Sequence, residues 1–159
     1  MRYPLALMLL MSCNARPELL CPPTTCGLGV VGNSDGEFPT DRWSCDAVQR
    51  SEDAFVKHAA PLFPNACRDL KGVRLYFMNT PNWQYFDKTI AGQTSCALGM
   101  VTLSSHHPYE SAFCHEMFHV AQHCTPPAPT DEGLDWQHSD WRRSGVIEAI
   151  ARCQSEIKN

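Results

Sequence analysis

Residues Ala112 to Cys124 read AFCHEMFHVAQHC, and this stretch decides how the rest of the chain is interpreted. It contains three histidines spaced four residues apart, one glutamate and two cysteines. Residues four apart on a helix lie one turn up and about 40° round, so His115 and His119 can reach one ion. Glu116 projects beside them, where it can reach a water molecule on that ion. The H-E-x-x-H spacing therefore predicts zinc held by His115 and His119, with Glu116 as the catalytic base.

The apolar residues of the same stretch predict which face of the helix is buried. Four of them recur at i, i+4, i+7 and i+11 and fall within a stripe about 60° wide. They are Phe113, Met117, Val120 and Cys124. His115 and His119 point roughly 200° away from this stripe. We therefore expect one face of the helix to pack on the core and the ligand pair to face a cleft.

The third histidine of the row is not expected to bind the same ion. His123 follows His115 by eight residues, which is about 12 Å along a helix axis. A straight helix cannot bring three such rings to one ion at Zn–N distances of about 2.0–2.1 Å. His123 is therefore predicted to lie outside the ligand set.

A third protein ligand must come from elsewhere in the chain. Four downstream side chains could supply it: Asp135, His138, Asp140 and Glu148. The last helix has an apolar stripe formed by Val146, Ile150, Cys153 and Ile157. Glu148 lies near the opposite face, which is the usual place for a solvated charge.

The segment from about Gly72 to Ala151 resembles the minimal catalytic core of a zincin metallopeptidase. The resemblance consists of a strand before the site, HEMFH on a helix and HSDW after it. HSDW, which begins at His138, resembles the H-x-x-F/W segment that carries the third zinc histidine in SprT-like metallopeptidases. Glu148 would instead match the glutamate of the gluzincins. The chain departs from the metzincin pattern, because Gln122 and Thr125 stand where that pattern has glycine and histidine.

The resemblance implies an α+β, zincin-like fold with a small mixed sheet, an active-site helix and a C-terminal helix. It also implies His138 as the third ligand and peptide hydrolysis by a zinc-bound water, with Glu116 as general base. The strand before the helix, Met100–Ser104, would bind a peptide or protein substrate by strand addition. The alternative is a non-catalytic, metal-binding, disulfide-rich surface lipoprotein. An intact Glu116 argues against it, because a purely structural site needs no base.

The N-terminus predicts export. Residues 1–12 contain an early arginine and an apolar run that is too short to cross a membrane and fits a signal peptide. Leu10-Met-Ser-Cys13 resembles a bacterial lipobox, which implies cleavage before Cys13 and lipidation of that cysteine. We therefore expect a periplasmic or cell-surface lipoprotein that is held to the membrane by a lipid anchor at Cys13. An ordinary secretory signal is the alternative.

The cysteine count agrees with export. Of nine cysteines, eight remain once Cys13 is set aside as the lipid carrier. An even number in an exported protein predicts up to four disulfides, but eight cysteines allow 105 pairings, so the connectivity stays open. The absence of a C-x-x-C pair from the sequence disfavours a thiolate zinc site.

Composition and patterning set the expected organisation. A formal net charge of −4 argues against a general nucleic-acid partner. We also expect the protein to be a monomer. Residues 13–39 are rich in Pro, Gly, Ser and Thr and are predicted to form a flexible tether, so the folded domain would span residues 40–159.

Periodicity and breakers predict two strands and three helices. A helix is expected from the N-cap Thr40 until Pro61 and Pro64 end it. Strands are expected over Gly72–Met78 and Ala97–Ser104. The helix with the histidines should run from Pro108 to about Cys124, and the last helix should begin after Ser139 or Asp140.

Overall fold

The computed structural model describes residues 17–79, 83–85, 88–104, 109–124 and 145–158. The predicted signal peptide, Cys13 and the ligand candidates Asp135, His138 and Asp140 lie outside these ranges. So do Pro108 and the predicted caps Ser139 and Asp140.

The fold is α+β, as predicted, and its sheet is small and mixed. Its four strands are β1 (Gly29–Gly32), β2 (Arg74–Met78), β5 (Gly92–Ser95) and β6 (Met100–Ser104), in the order β1-β2-β6-β5. The first three strands of this order run parallel, and β5 pairs antiparallel with β6. Strands β3 (Trp83–Tyr85) and β4 (Lys88–Ile90) form a separate antiparallel pair.

Four helices accompany the sheet among the described residues. They are α1 (Cys45–Ala59), α2 (Ala66–Asp69), α3 (Tyr109–His123) and α4 (Val146–Lys158). Helix α3 packs against β5, β6, α1 and α4, so it lies at the centre of the fold. The prediction for α3 is confirmed to within one residue at each end. None of the helices within the described ranges is long and apolar enough to span a membrane.

The prediction of a flexible tether is wrong for the part of residues 13–39 that the structure describes. Strand β1 pairs with β2, and Leu28 and Val30 are fully buried in the core. Leu20 donates its backbone N–H to the carbonyl of Val30 and so lies along this strand. The segment therefore belongs to the folded domain, which begins well before Thr40.

A buried carboxylate explains how this Pro-rich segment is held. Glu52 of α1 is fully buried and accepts hydrogen bonds from the Thr24 hydroxyl, the Cys26 backbone N–H at 2.9 Å and the Gln49 amide at 3.3 Å. A buried carboxylate with several donors is stabilised in place of its lost hydration. Neighbours in the sequence do not reveal these contacts, because two of the donors lie more than twenty residues away.

Helix α1 begins later than predicted. Its N-cap is Ser44, whose hydroxyl accepts from the Ala47 N–H at 3.1 Å, and not Thr40. Thr40 instead accepts from the Trp43 N–H in a turn that carries the Trp43 ring into the core, 4.6 Å from the ring of Phe77. Burial of the indole therefore fixes the chain ahead of the helix.

The two predicted strands form, but both begin later than expected. Gly72 and Val73 precede β2, and residues 96–99 form the turn between β5 and β6, where Gly99 has a positive φ of 57°. Strand β6 hydrogen-bonds β2 on one side and β5 on the other. The expectation that Met100–Ser104 binds substrate by strand addition is therefore wrong, because both edges of this strand are already paired.

The eight cysteines that were assigned to disulfides form four of them, as predicted. The pairs are Cys21–Cys45, Cys26–Cys67, Cys96–Cys124 and Cys114–Cys153. The first two attach the N-terminal segment to α1 and α2, and the last two both end on or beside α3. Four disulfides are compatible with a periplasmic or extracellular protein.

We expect Glu52→Ala to lower the free energy of unfolding by about 3 kcal/mol, because the variant leaves buried donors without an acceptor. Asp53→Ala, at an exposed position next to it on α1, is the matched control and should cost less than about 1 kcal/mol. Urea unfolding measures both. Equal effects of the two substitutions would contradict the assigned role of Glu52.

Non-reducing digestion and mass spectrometry should recover the four pairs named above. Cys114 and Cys153 are fully buried, whereas Cys96 and Cys124 are partly exposed. A mild reductant should therefore open Cys96–Cys124 before Cys114–Cys153, since thiol–disulfide exchange needs access to sulfur. Recovery of other pairings, or the reverse order of reduction, would contradict this arrangement.

Candidate metal centre

Helix α3 brings its two predicted zinc ligands together. The Nε2 atoms of His115 and His119 are 3.2 Å apart, and the ring centroids are 4.9 Å apart. Both side chains therefore turn the same nitrogen toward one point. His119 is only 5% exposed and His115 is half-buried. The pair is therefore more buried than the prediction that it faces a cleft implies.

The spacing of the two nitrogens fits a shared tetrahedral ion. Two ligands of such an ion at Zn–N distances of about 2.0–2.1 Å lie about 3.3–3.4 Å from each other. The observed 3.2 Å is close to this value, although an N–H···N hydrogen bond between neutral rings has a similar length. The residues present therefore fit zinc as well as they fit a direct histidine pair.

From Ala112 to Ala121 of α3, every side chain except that of His115 is buried. Phe113 and Met117 of the predicted stripe are fully buried and Val120 is nearly so. Phe118, outside the stripe, is fully buried too, and its ring meets Phe55 of α1 edge-on at 5.3 Å. The predicted core face is confirmed, and α1 covers a further face that the stripe did not include. The His119 imidazole consequently lies in the interior, whereas that of His115 is half-buried.

Glu116 lies between His115 and His119 in the sequence and is 5% exposed. Its Oε2 accepts a hydrogen bond of 2.7 Å from the hydroxyl of Thr94. Burial raises the pKa of Glu116 from 4.5 to about 7, and the Thr94 hydrogen bond lowers it. A carboxyl with a pKa near neutrality can exchange a proton in either direction at physiological pH, as a general base requires.

Two cross-links hold the site helix, one from within it and one from the residue that follows it. Cys114, the residue before His115, is bonded to Cys153 of α4. Cys124, the residue after His123, is bonded to Cys96 at the end of β5. The helix is thereby tied both to α4 and to the strand that carries Thr94.

His123 continues the row of rings toward the end of α3. Its ring centroid is 5.7 Å from that of His119, farther than the 4.9 Å between His119 and His115. The helix keeps its regular course to His123, so the geometric reason for excluding this residue from the ligand set still holds.

A complete ligand set is not present within the described ranges, where no group of three His, Cys, Asp or Glu side chains is placed to hold a metal. Glu148 falls within those ranges and is exposed on α4, as its position opposite the apolar stripe predicted. It does not join His115 and His119. His138, Asp135 and Asp140 remain predictions for the third ligand.

Comparison with known proteins finds no family model, no curated protein and no solved structure that matches this chain. The zincin resemblance therefore stays an expectation that rests on the residues of the site.

Sequence reasoning missed the residues of β5 that contact Glu116. The segment Gly92-Gln-Thr-Ser95 is polar and has no apolar alternation, so it carries no strand signal of its own. One signal in the sequence was Cys96, which directly follows this polar segment. A cysteine that forms a disulfide ties the neighbouring segment to another part of the fold.

The metal-free protein should lose stability as the pH rises through the range from 4.5 to about 7. The folded state keeps a proton on Glu116 in this range and the unfolded state does not, so the unfolded state binds fewer protons. The loss in free energy of unfolding should approach about 3 kcal/mol. It should be missing from Glu116→Gln, which has no titrating group at this position. Urea unfolding of both proteins with a chelator, from pH 4 to 8, measures it. A difference between them that does not change with pH would contradict the burial assigned to Glu116.

Proposed function

We propose that this protein is an exported, zinc-dependent peptidase that hydrolyses peptide bonds. One observation carries the proposal: on one helix, the Nε2 atoms of His115 and His119 lie 3.2 Å apart, and the residue after His115 is a buried carboxyl whose pKa is near 7. An ion pair or a simple core contact requires neither the convergence of two imidazoles nor a buried, protonatable carboxyl on the same helix.

His115 and His119 would hold the zinc, with His138 as the proposed third ligand. Zinc bound there would supply Lewis-acid chemistry, making a water acidic and polarising a carbonyl group. The chain's own contribution is to fix the two imidazoles on one helix and to keep bulk water away from them. The disulfides at Cys114 and Cys124 oppose movement of that helix.

Glu116 would accept a proton from water and return it to the leaving amine. Thr94 occupies Oε2, so Oε1 is the oxygen that this hydrogen bond leaves for the proton transfer. Burial weakens the preference for the charged carboxylate, which lets the same group act as a base and then as an acid.

The edge strand β5 is the proposed place for the substrate backbone, in place of β6. In the described part of the sheet, β5 pairs only with β6, so its other edge offers unpaired N–H and C=O groups. An extended peptide could add there by strand pairing. This edge belongs to the strand that touches Glu116, which would bring the peptide to the catalytic group.

Export and anchoring form part of the proposal. The four disulfides fit an oxidising compartment, and lipidation at Cys13 would keep the enzyme at the membrane surface. Mass spectrometry of the mature N-terminus tests the anchor, and an unmodified Cys13 inside the mature chain would contradict it.

The alternative function is non-catalytic metal binding by a surface lipoprotein. The deep burial of His119 and Glu116 favours it, because a closed metal site needs no access for a substrate. Activity measured together with metal content separates the two functions.

The purified protein should bind about one zinc per chain. His115→Ala and His119→Ala should lose most of the metal, whereas His123→Ala should retain it. Elemental analysis after dialysis measures this. Near-stoichiometric zinc in His119→Ala would remove the basis of the proposal.

Glu116→Gln should keep zinc and lower peptide hydrolysis by at least about 10²-fold, because an amide cannot accept the proton. Glu148→Gln, at the exposed position on α4, is the matched control and should keep both properties. A broad peptide library, assayed at equal zinc loading, measures the rates. A zinc-loaded parent that cleaves nothing, or Glu116→Gln that cleaves as fast as the parent, would favour the metal-binding lipoprotein.

A further inference from the structure

Alternate residues at the end of the sheet face α3, and each makes a different contact with that helix. Gly92 lies opposite Leu103 and Thr94 lies opposite Val101, and both partners on β6 are fully buried. Directly opposed residues of antiparallel strands share one face of the sheet. Gly92 and Thr94 therefore face the helix side, and Cys96, next in the alternation, is cross-linked to Cys124.

Gly92 provides the space for the Glu116 side chain. A Cβ at this position would lie 2.7 Å from both Cγ and Oε1 of Glu116 and 3.0 Å from Cδ. Carbon atoms do not approach so closely, so any larger residue must displace the carboxyl group. The φ of Gly92 lies outside the left-handed region, so its backbone tolerates alanine and the obstacle is Glu116 alone.

Thr94 provides a directed hydrogen bond in the same slot. Its hydroxyl lies 2.7 Å from Oε2 of Glu116 and 3.1 Å from the backbone oxygen of the same residue. A hydroxyl has one hydrogen to donate, and the shorter contact to the carboxyl is the stronger one. The hydroxyl therefore selects one orientation of the carboxyl group while Gly92 leaves room for it.

We propose that Thr94 and Gly92 are positioning residues, which together set the orientation of the Glu116 carboxyl for proton transfer. The Thr94 hydroxyl and the space at Gly92 would act through Glu116 and not on the metal. Any pairing of the β5 backbone with a peptide is separate from this role. The role in catalysis rests on the proposed peptidase function, whereas the contact itself is independent of it. The Cys96–Cys124 disulfide keeps β5 in register with α3 and so maintains the slot.

The first experiment measures kinetics of zinc-loaded variants on a cleaved peptide. Thr94→Val and Gly92→Ala should keep about one zinc per chain and lower kcat roughly 10- to 100-fold with little change in KM, because a misplaced base affects the chemical step. Thr94→Ser restores the hydroxyl and should recover most of the rate. Thr102→Val, the same substitution at a half-buried position of β6, is the matched control and should behave as the parent.

Two kinetic results would overturn the proposal. One is a Thr94→Val variant with the kcat of the parent. The other is a Thr94→Ser variant as slow as Thr94→Val, because the hydroxyl would then not be the cause.

The second experiment needs no activity. In the metal-free protein, Gly92→Ala and Thr94→Val should each lower Tm by several degrees, on the order of 5 °C. In a Glu116→Ala background the same substitutions should have little effect, because the side chain that they disturb is gone. Equal shifts in Tm in both backgrounds would overturn the proposal. A parent protein without activity would contradict the peptidase function. The melting temperatures of these variants would still show whether Thr94 and Gly92 contact the Glu116 side chain.

Discussion

Helix α3 carries two imidazoles and a carboxyl group through the middle of the protein, and this constraint shapes the elements around it. Polar groups removed from water are costly unless they find partners. The structure pairs Nε2 of His115 with Nε2 of His119 and gives Glu116 the hydroxyl of Thr94. Helices α1 and α4 and strands β5 and β6 pack against other faces of this helix.

The same constraint explains why two of the four disulfides end at α3. A helix that presents polar groups to the interior gains less from apolar burial than an ordinary core helix. Cross-links restrict the unfolded chain and so offset part of that loss. Because Cys114 adjoins His115 and Cys124 follows His123, the cross-links also fix the positions of the histidines. Stability and site geometry therefore depend on the same bonds.

Sequence patterns predicted the elements whose signals are local. The apolar stripes on α3 and α4 identified Phe113 and Cys153 as core residues, and the turn residues around β2 marked a strand. The sequence did not predict strand β1, because its four residues, GVVG, are all buried and do not alternate between apolar and polar. The sequence did not predict strand β5, because this strand contributes a hydrogen bond and a space to α3. Both contacts exist only once α3 packs against the strand. The fully buried Glu52 likewise has a role that only distant contacts define.

The residues of the candidate site likewise differ in whether a local sequence pattern predicts them. The spacing of His115, Glu116 and His119 follows from helix geometry, so the sequence alone sufficed to place them together. Thr94 and Gly92 come to Glu116 through the pairing of β5 with β6, a long-range arrangement that no local period encodes. The predicted partner His138 lies outside the described residues, and the choice among ligand candidates still rests on the resemblance of HSDW.

Crystals of the zinc-soaked protein, measured at the zinc absorption edge, test the central claim most directly. The account predicts one strong anomalous peak about 2.0–2.1 Å from the Nε2 atoms of both His115 and His119, with the Glu116 carboxyl still on Thr94. Zinc bound elsewhere on the protein, with the two imidazoles hydrogen-bonded to each other and no peak between them, would contradict it.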